Sequence, residues 1–232
     1  MREEDVALPL TPLPSGRHGL SREEVIRSQR ARLLRSAVEV AGTDGFAGMT
    51  VSAVIRRATV SRKTFYELFS DREDCFVAAY ELVMERALRK LQAVFELDAS
   101  WRARVRAGLE WTLTALASHP CEARVAFVEV FAAGPRALER RDQFAAELAL
   151  LLADGFDAAP ADVAVPSSMP RAVIGALGEL VGTCVRHGTA EQLPELLPDM
   201  LYCALAPFVG PAAAVAAAAD ELQSLAACGR TG

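Results

Sequence analysis

Residues 50–69, TVSAVIRRATVSRKTFYELF, place the tightest constraint on what this chain can fold into. Thr50 is a natural N-cap for a short helix over 51–58, whose apolar side is Val51, Val54, Ile55 and Ala58. Ser61 caps another over 62–69, with Phe65, Leu68 and Phe69 facing inward and Arg62, Lys63 and Tyr66 facing out. Only Thr59, Val60 and Ser61 separate the two helices, which leaves chain for a sharp corner and nothing more. The spacing predicts a helix-turn-helix.

The flanking segments are helical as well. SREE at 21–24 reads as a capping box that opens a helix running to the Gly42–Gly45 stretch, with Arg22, Arg27, Arg30, Arg32 and Arg35 on its outer face. Ser70 with Glu73 reads as a second box opening a long helix to about residue 95. Further helices are expected at about 101–118, 121–132, 136–156, 171–187, 195–208 and 211–227, divided by Pro and Gly breakers and by a loop over 157–169. Apolar residues make up 52% of the chain, and alanine and leucine dominate them without alternating β-branched runs, so the fold class is all-α. Prolines at 9, 12 and 14 make residues 1–20 a flexible arm, followed by a helix-turn-helix domain over 21–72 and a larger helical domain over 73–232.

The net charge of −5 hides an asymmetry. Between Ser15 and Arg72 stand eleven Arg/Lys against six Asp/Glu, whereas from Glu73 onward there are thirteen against twenty-one. A basic head on an acidic body suits an anionic partner at one end only. No apolar run reaches the ~20 residues of a membrane span, and the N-terminus lacks the apolar core of a signal peptide, so a cytoplasmic protein without a membrane role is expected. Five scattered cysteines without a CxxC pair read as reduced thiols. No P-loop, GxGxxG, HExxH or GxSxG pattern occurs, and Cys184 with His187 is only a two-ligand fragment, so neither an enzyme nor a metal or cofactor site is expected.

The stretch TVSAVIRRATVSRKTFYELFSDREDCFVAAYE, residues 50–81, resembles the DNA-binding domain of TetR-family transcriptional regulators in its Thr-capped helix, its Ser-containing turn and its short helix ending Tyr-x-x-Phe. The resemblance covers about 21–90. It implies a double-stranded DNA operator as partner, with Ser61, Arg62, Lys63 and Thr64 facing the groove and Thr50, Tyr66 and Arg72 meeting phosphates. Arg17 in the arm is a candidate for the minor groove. The family usually has glycine where this chain has Thr59. A β-branched residue held at positive φ is strained by about 1–3 kcal/mol, so a negative φ is expected there.

The resemblance also implies a homodimeric regulator, a repressor by analogy, controlled by a small apolar effector. Gly175, Gly178 and Gly182, spaced along one helix face, are candidates for the dimer interface, and Trp111, Phe127, Phe131 and Phe144 for the ligand pocket. An all-helical carrier or protein-interaction module is the alternative, and it would differ in showing no steep salt dependence of DNA binding.

Overall fold

The computed structural model describes residues 21–161 and 164–228, with side chains to residue 219. The helix α1, Arg22–Gly48, starts at the expected capping box: Ser21 Oγ accepts the Glu24 N–H at 3.2 Å and Glu24 Oε2 accepts the Ser21 N–H at 2.7 Å. Leu33, Leu34, Ala37, Val38 and Ala41 form its buried stripe. The helix breaks at Gly45, where φ is 75° and ψ is 168°, and Phe46 begins a last turn set off from the rest. The kink is held from a distance. Glu129 Oε2 accepts the Phe46 N–H at 2.7 Å, and its Oε1 accepts from Arg124 Nε at 2.8 Å.

Two short helices follow, α2 (Val51–Ala58) and α3 (Arg62–Leu68), with Thr50 and Ser61 as the N-caps predicted. Phe65 at 0% exposure anchors α3 in a core built from Met49, Val54, Ala58 and Phe69. The corner between the two helices overturns one expectation. Thr59 adopts the left-handed conformation, φ 55° and ψ 49°. This conformation turns both the Thr59 and the Val60 N–H groups onto the Ile55 carbonyl, so that a helix end is capped in the space where glycine would serve without strain. Closing a three-residue corner outweighs the local cost.

The helix α4, Arg72–Phe95, also starts differently from the sequence reading. Its N-cap is Asp71 rather than Ser70, because Asp71 Oδ1 accepts the Asp74 N–H at 2.8 Å while Asp74 Oδ2 accepts from both the backbone and the hydroxyl of Ser70. Glu73 closes no box; its Oε1 is buried without a hydrogen-bond partner among the described residues, beside Gly134. Burial acts to raise the Asp74 carboxyl, but the Ser70 N–H and Arg136 together hold it below its usual range. At about 1.5 Å per residue, the 24 residues of α4 extend about 36 Å from the head into the rest of the molecule.

The body consists of α5 (Trp101–Ser118), α6 (Pro120–Phe127), α7 (Pro135–Leu151), α8 (Met169–Arg186), α9 (Leu197–Val209) and α10 (Pro211–Cys228). The boundaries depart from expectation at three helix ends. Two of the predicted helices finish in 3-10 turns, Glu129–Phe131 and Ala153–Gly155, and 3-10 turns over Ala190–Leu196 precede α9, with Pro194 inside them. The described residues include no strand, and none of their helices is long and apolar enough to cross a membrane.

Two apolar cores result. The head does not own a private one: Phe65, Phe76 and Tyr80 share theirs with Val125, Ala126 and Val130 from α6 and its 3-10 turn, and with Phe144 of α7. A second core joins α5, α8, α9 and α10 around Trp101, Leu113, Val181, Leu201 and Phe208. Phe127 packs against both. Where α1 crosses α6 the two backbones touch, since a Cβ on Gly42 would lie 2.5 Å from the Cα of Cys121.

Candidate DNA-reading face and ligand cavity

The face predicted to read DNA is built on caps. Ser61 Oγ accepts the Thr64 N–H at 3.0 Å and lies 2.9 Å from the Thr64 hydroxyl, and Thr50 Oγ1 accepts the Ala53 N–H at 3.1 Å. With Phe65 and Phe69 taken by the core, helical geometry turns Arg62, Lys63 and Tyr66 outward; all three are exposed, and Thr64 is half-buried. The Arg62 guanidinium lies 5.6 Å from the centre of the Tyr66 ring and donates to its hydroxyl at 3.4 Å. Among the described residues Lys63 reaches only Glu67, at 3.8 Å, with 86% of its side chain exposed.

Neighbouring helices bring further cations alongside. The Arg72 guanidinium lies 4.6 Å from the centre of the Phe46 ring and that of Arg30 5.7 Å from that of Phe69, so each exposed arginine sets its charge over an aromatic face at the edge of the head's core. Arg57 is taken by Glu39. Of the predicted DNA-facing residues, Thr50, Ser61, Arg62, Lys63, Thr64, Tyr66 and Arg72 lie on or beside the helix-turn-helix, and Arg17 falls outside the described residues.

The body contains a cavity of about 120 Å³ between α4, α5, α7, α8 and α9. Its walls are apolar, among them Leu91, Phe95, Leu109, Leu148, Leu177 and Met200, and its one hydroxyl, Thr112, is already donated to the Gly108 carbonyl at 2.7 Å. A smaller cavity of about 100 Å³ adjoins it, and Phe127, Leu148, Ile174 and Gly178 belong to both walls. Tyr80, Phe131, Arg141 and Glu179 border the smaller one alone.

The aromatic residues expected at a pocket therefore divide. Phe127 borders both cavities and Phe131 the smaller one, whereas Phe144 is fully buried against Tyr80 and under Arg140, and half-buried Trp111 borders neither. Size and apolarity in a sequence mark core as readily as cavity wall. Nothing local in the sequence distinguishes Tyr80 and Arg141; the packing of α4 against α7 brings them to one site.

The glycines of α8 also part company. A Cβ at Gly182 would stand 3.3 Å from the Phe127 carbonyl, so this position serves a contact within the chain and not a face open to a partner. Gly175 and Gly178 have nothing within 4 Å of such a Cβ, and both border the smaller cavity. Cys184 donates its thiol to the Thr189 carbonyl at 2.9 Å, and no group of three metal-ligating side chains occurs among the described residues.

The geometry is that of a capped helix-turn-helix head on a helical body with an apolar cavity. Residues 33–79 match the family model for bacterial regulatory proteins of the tetR family. In three dimensions the chain is similar to the fatty acid degradation regulator FadR of Bacillus halodurans, with 18% identity over 78% of this chain and 94% of that one and a TM-score of 0.67. FadR of Bacillus subtilis, solved with stearoyl-CoA, is similar at 18% identity over 77% and 97% of the two chains, with a TM-score of 0.66. A TetR-family regulator of Pectobacterium atrosepticum is 18% identical over 82% and 98%, with a TM-score of 0.61. No curated protein matches the sequence. Residues 33–79 thus match the helix-turn-helix domain of the tetR family, and over most of its length the chain shares the fold of solved TetR-family regulators.

Proposed function

We propose that the protein is a homodimeric repressor that binds a pseudo-palindromic operator and is released by a small molecule entering the apolar cavity. One small helix-turn-helix buries too little DNA for useful affinity, and two-fold pairing on a two-fold site is the usual solution. Ser61, Arg62, Lys63 and Thr64 are assigned to the major groove, Thr50, Tyr66 and Arg72 to phosphates, and Arg17 to the adjacent minor groove. Pairing is assigned to α8 and α9, where Gly175 is open and Tyr202 is 37% exposed.

The single observation that carries the ligand-responsive part is the cavity of about 120 Å³ with scarcely any polar wall. A void of this size inside a close-packed protein forfeits stability unless something fills it. Phe127, at the end of α6, is its link to the head, because the same short helix packs on α1 at Gly42. An effector that binds better in one position of α6 shifts the population of head spacings by its difference in affinity. The stearoyl-CoA held by the Bacillus subtilis neighbour favours an apolar chain as the ligand's main feature.

Selection of bound sequences from a random duplex pool, repeated at two salt concentrations, tests this reading. A two-fold symmetric site is expected, with affinity falling steeply with salt as counterions are released. A folded protein that enriches no sequence, or that binds with little salt dependence, would overturn it.

A further inference from the structure

The smaller cavity contains a group without a partner. Tyr80 is 1% exposed and borders this cavity, yet its hydroxyl has no hydrogen bond among the described residues. A phenol bordering a cavity is a donor available to a group that enters it. Arg141, on the same wall, lies 5.0 Å from the centre of the exposed Phe131 ring and among the described residues donates only to Asp142, at 2.8 Å, so most of its N–H donors have no partner there. Burial raises the Tyr80 phenol, and Arg141 is the charge that opposes this most, which places the two groups in one electrostatic neighbourhood.

The acids nearby are already answered. Glu179 accepts from Arg186 Nη2 at 2.7 Å and from the Thr183 hydroxyl at 3.1 Å, and Asp142 has Arg141 itself. Arg140 is turned to Glu81 and over Phe144. What remains at this end, among the described residues, is the Tyr80 hydroxyl, the Arg141 guanidinium paired only with its chain neighbour Asp142, and the second carboxylate oxygen of Glu179.

We propose that the two cavities form one site for a single amphipathic ligand, whose apolar chain fills the larger cavity and whose carboxylate lies in the smaller one between the Tyr80 hydroxyl and Arg141. The way between them runs past Gly178, the shared wall residue without a side chain, where an added Cβ meets nothing within 4 Å. Apolar cavities of about 150 Å³ take up benzene, so the larger cavity as it stands suits a chain of about six carbons before its walls move. This inference rests on the ligand-responsive reading above and names the ligand's chemical class.

Calorimetric titration of the whole protein with octanoate, 1-octanol and octylamine provides the test. Octanoate is expected to bind at least about tenfold more tightly than octanol, because a charged acceptor meets two donors, and octylamine is expected not to bind. Arg141→Gln and Tyr80→Phe should each weaken octanoate by about tenfold, Arg141→Gln leaving octanol unchanged. Gly178→Val should abolish octanoate binding while the thermal midpoint holds or rises, since valine is the better helix former and has room. Octanol binding as tightly as octanoate, or octanoate indifferent to Arg141→Gln, would overturn the proposal. Octanoate that binds as described but leaves operator affinity unchanged would support the site and overturn its regulatory role. A neutral apolar compound that binds and releases operator where octanoate does not bind would do the reverse.

Discussion

Replacing Glu129 tests how the head is fastened to the body. Its carboxylate is 7% exposed and accepts two hydrogen bonds, one from the Phe46 N–H just after the Gly45 kink and one from Arg124. Glu129→Ala leaves the buried Phe46 N–H without an acceptor, a loss of about 1–3 kcal/mol. Arg124 is 43% exposed and rehydrates, so its half of the interaction adds only about 0–1 kcal/mol. The expected destabilisation is about 1–4 kcal/mol, a large share of the roughly 5–15 kcal/mol that stabilises a folded protein. Glu129→Gln keeps an acceptor for Phe46 and should lose only about 1 kcal/mol. Urea unfolding followed by circular dichroism reads the difference as a midpoint shift of about 0.5–2 M for the alanine variant. If alanine shifts the midpoint no further than glutamine does, the Phe46 hydrogen bond is not the fastening and the reasoning fails.

Gly42→Ala should destabilise by about 1–3 kcal/mol, because the new methyl must push α6 away from α1, and a thermal scan would register it. Thr59→Gly should stabilise by up to about 1 kcal/mol in the same assay, since glycine relieves the strain at φ 55°, offset in part by its freedom when unfolded. Burial pushes the Cys75 thiol from 9.0 up to about 12. The unfolded chain therefore releases this proton first as pH rises, and stability should fall between about pH 9 and 12 at up to about 1.4 kcal/mol per unit, a slope that Cys75→Ala should reduce. Lys63→Ala should weaken the selected operator by about 1–3 kcal/mol with little effect on random DNA, whereas Tyr66→Phe should weaken both alike; equal losses on both sequences for Lys63→Ala would remove it from the groove.

Local chemistry was legible in the sequence wherever a side chain acts on its own backbone. Ser21, Thr50 and Ser61 cap the helices they were expected to cap, and the apolar stripe of 51–69 buries as its spacing requires. Competition between near neighbours was harder to read. Ser70 and Asp71 are both good caps, and Asp71 prevails in an arrangement where Asp74 bonds back to Ser70 and also meets Arg136, 62 residues away. Thr59 shows tertiary demand overruling intrinsic preference, since the corner needs a left-handed residue whatever occupies it.

The cavity was the least legible feature, because its walls come one to four residues at a time from α4 to α9. No short window contains it. Glu129 and Phe46 are 83 residues apart, and nothing near either one announces the other.

The contact between Gly42 and Cys121 has a mechanical consequence. Most helices meet through layers of side chains that can rotate and absorb small displacements, so that a push on one helix fades before it reaches the next. Here main chain rests on main chain, and no such cushion exists. A joint of this kind is expected to move α6 and α1 as one, so a substitution that inserts even one methyl group there should alter the resting position of the head as well as the stability of the fold.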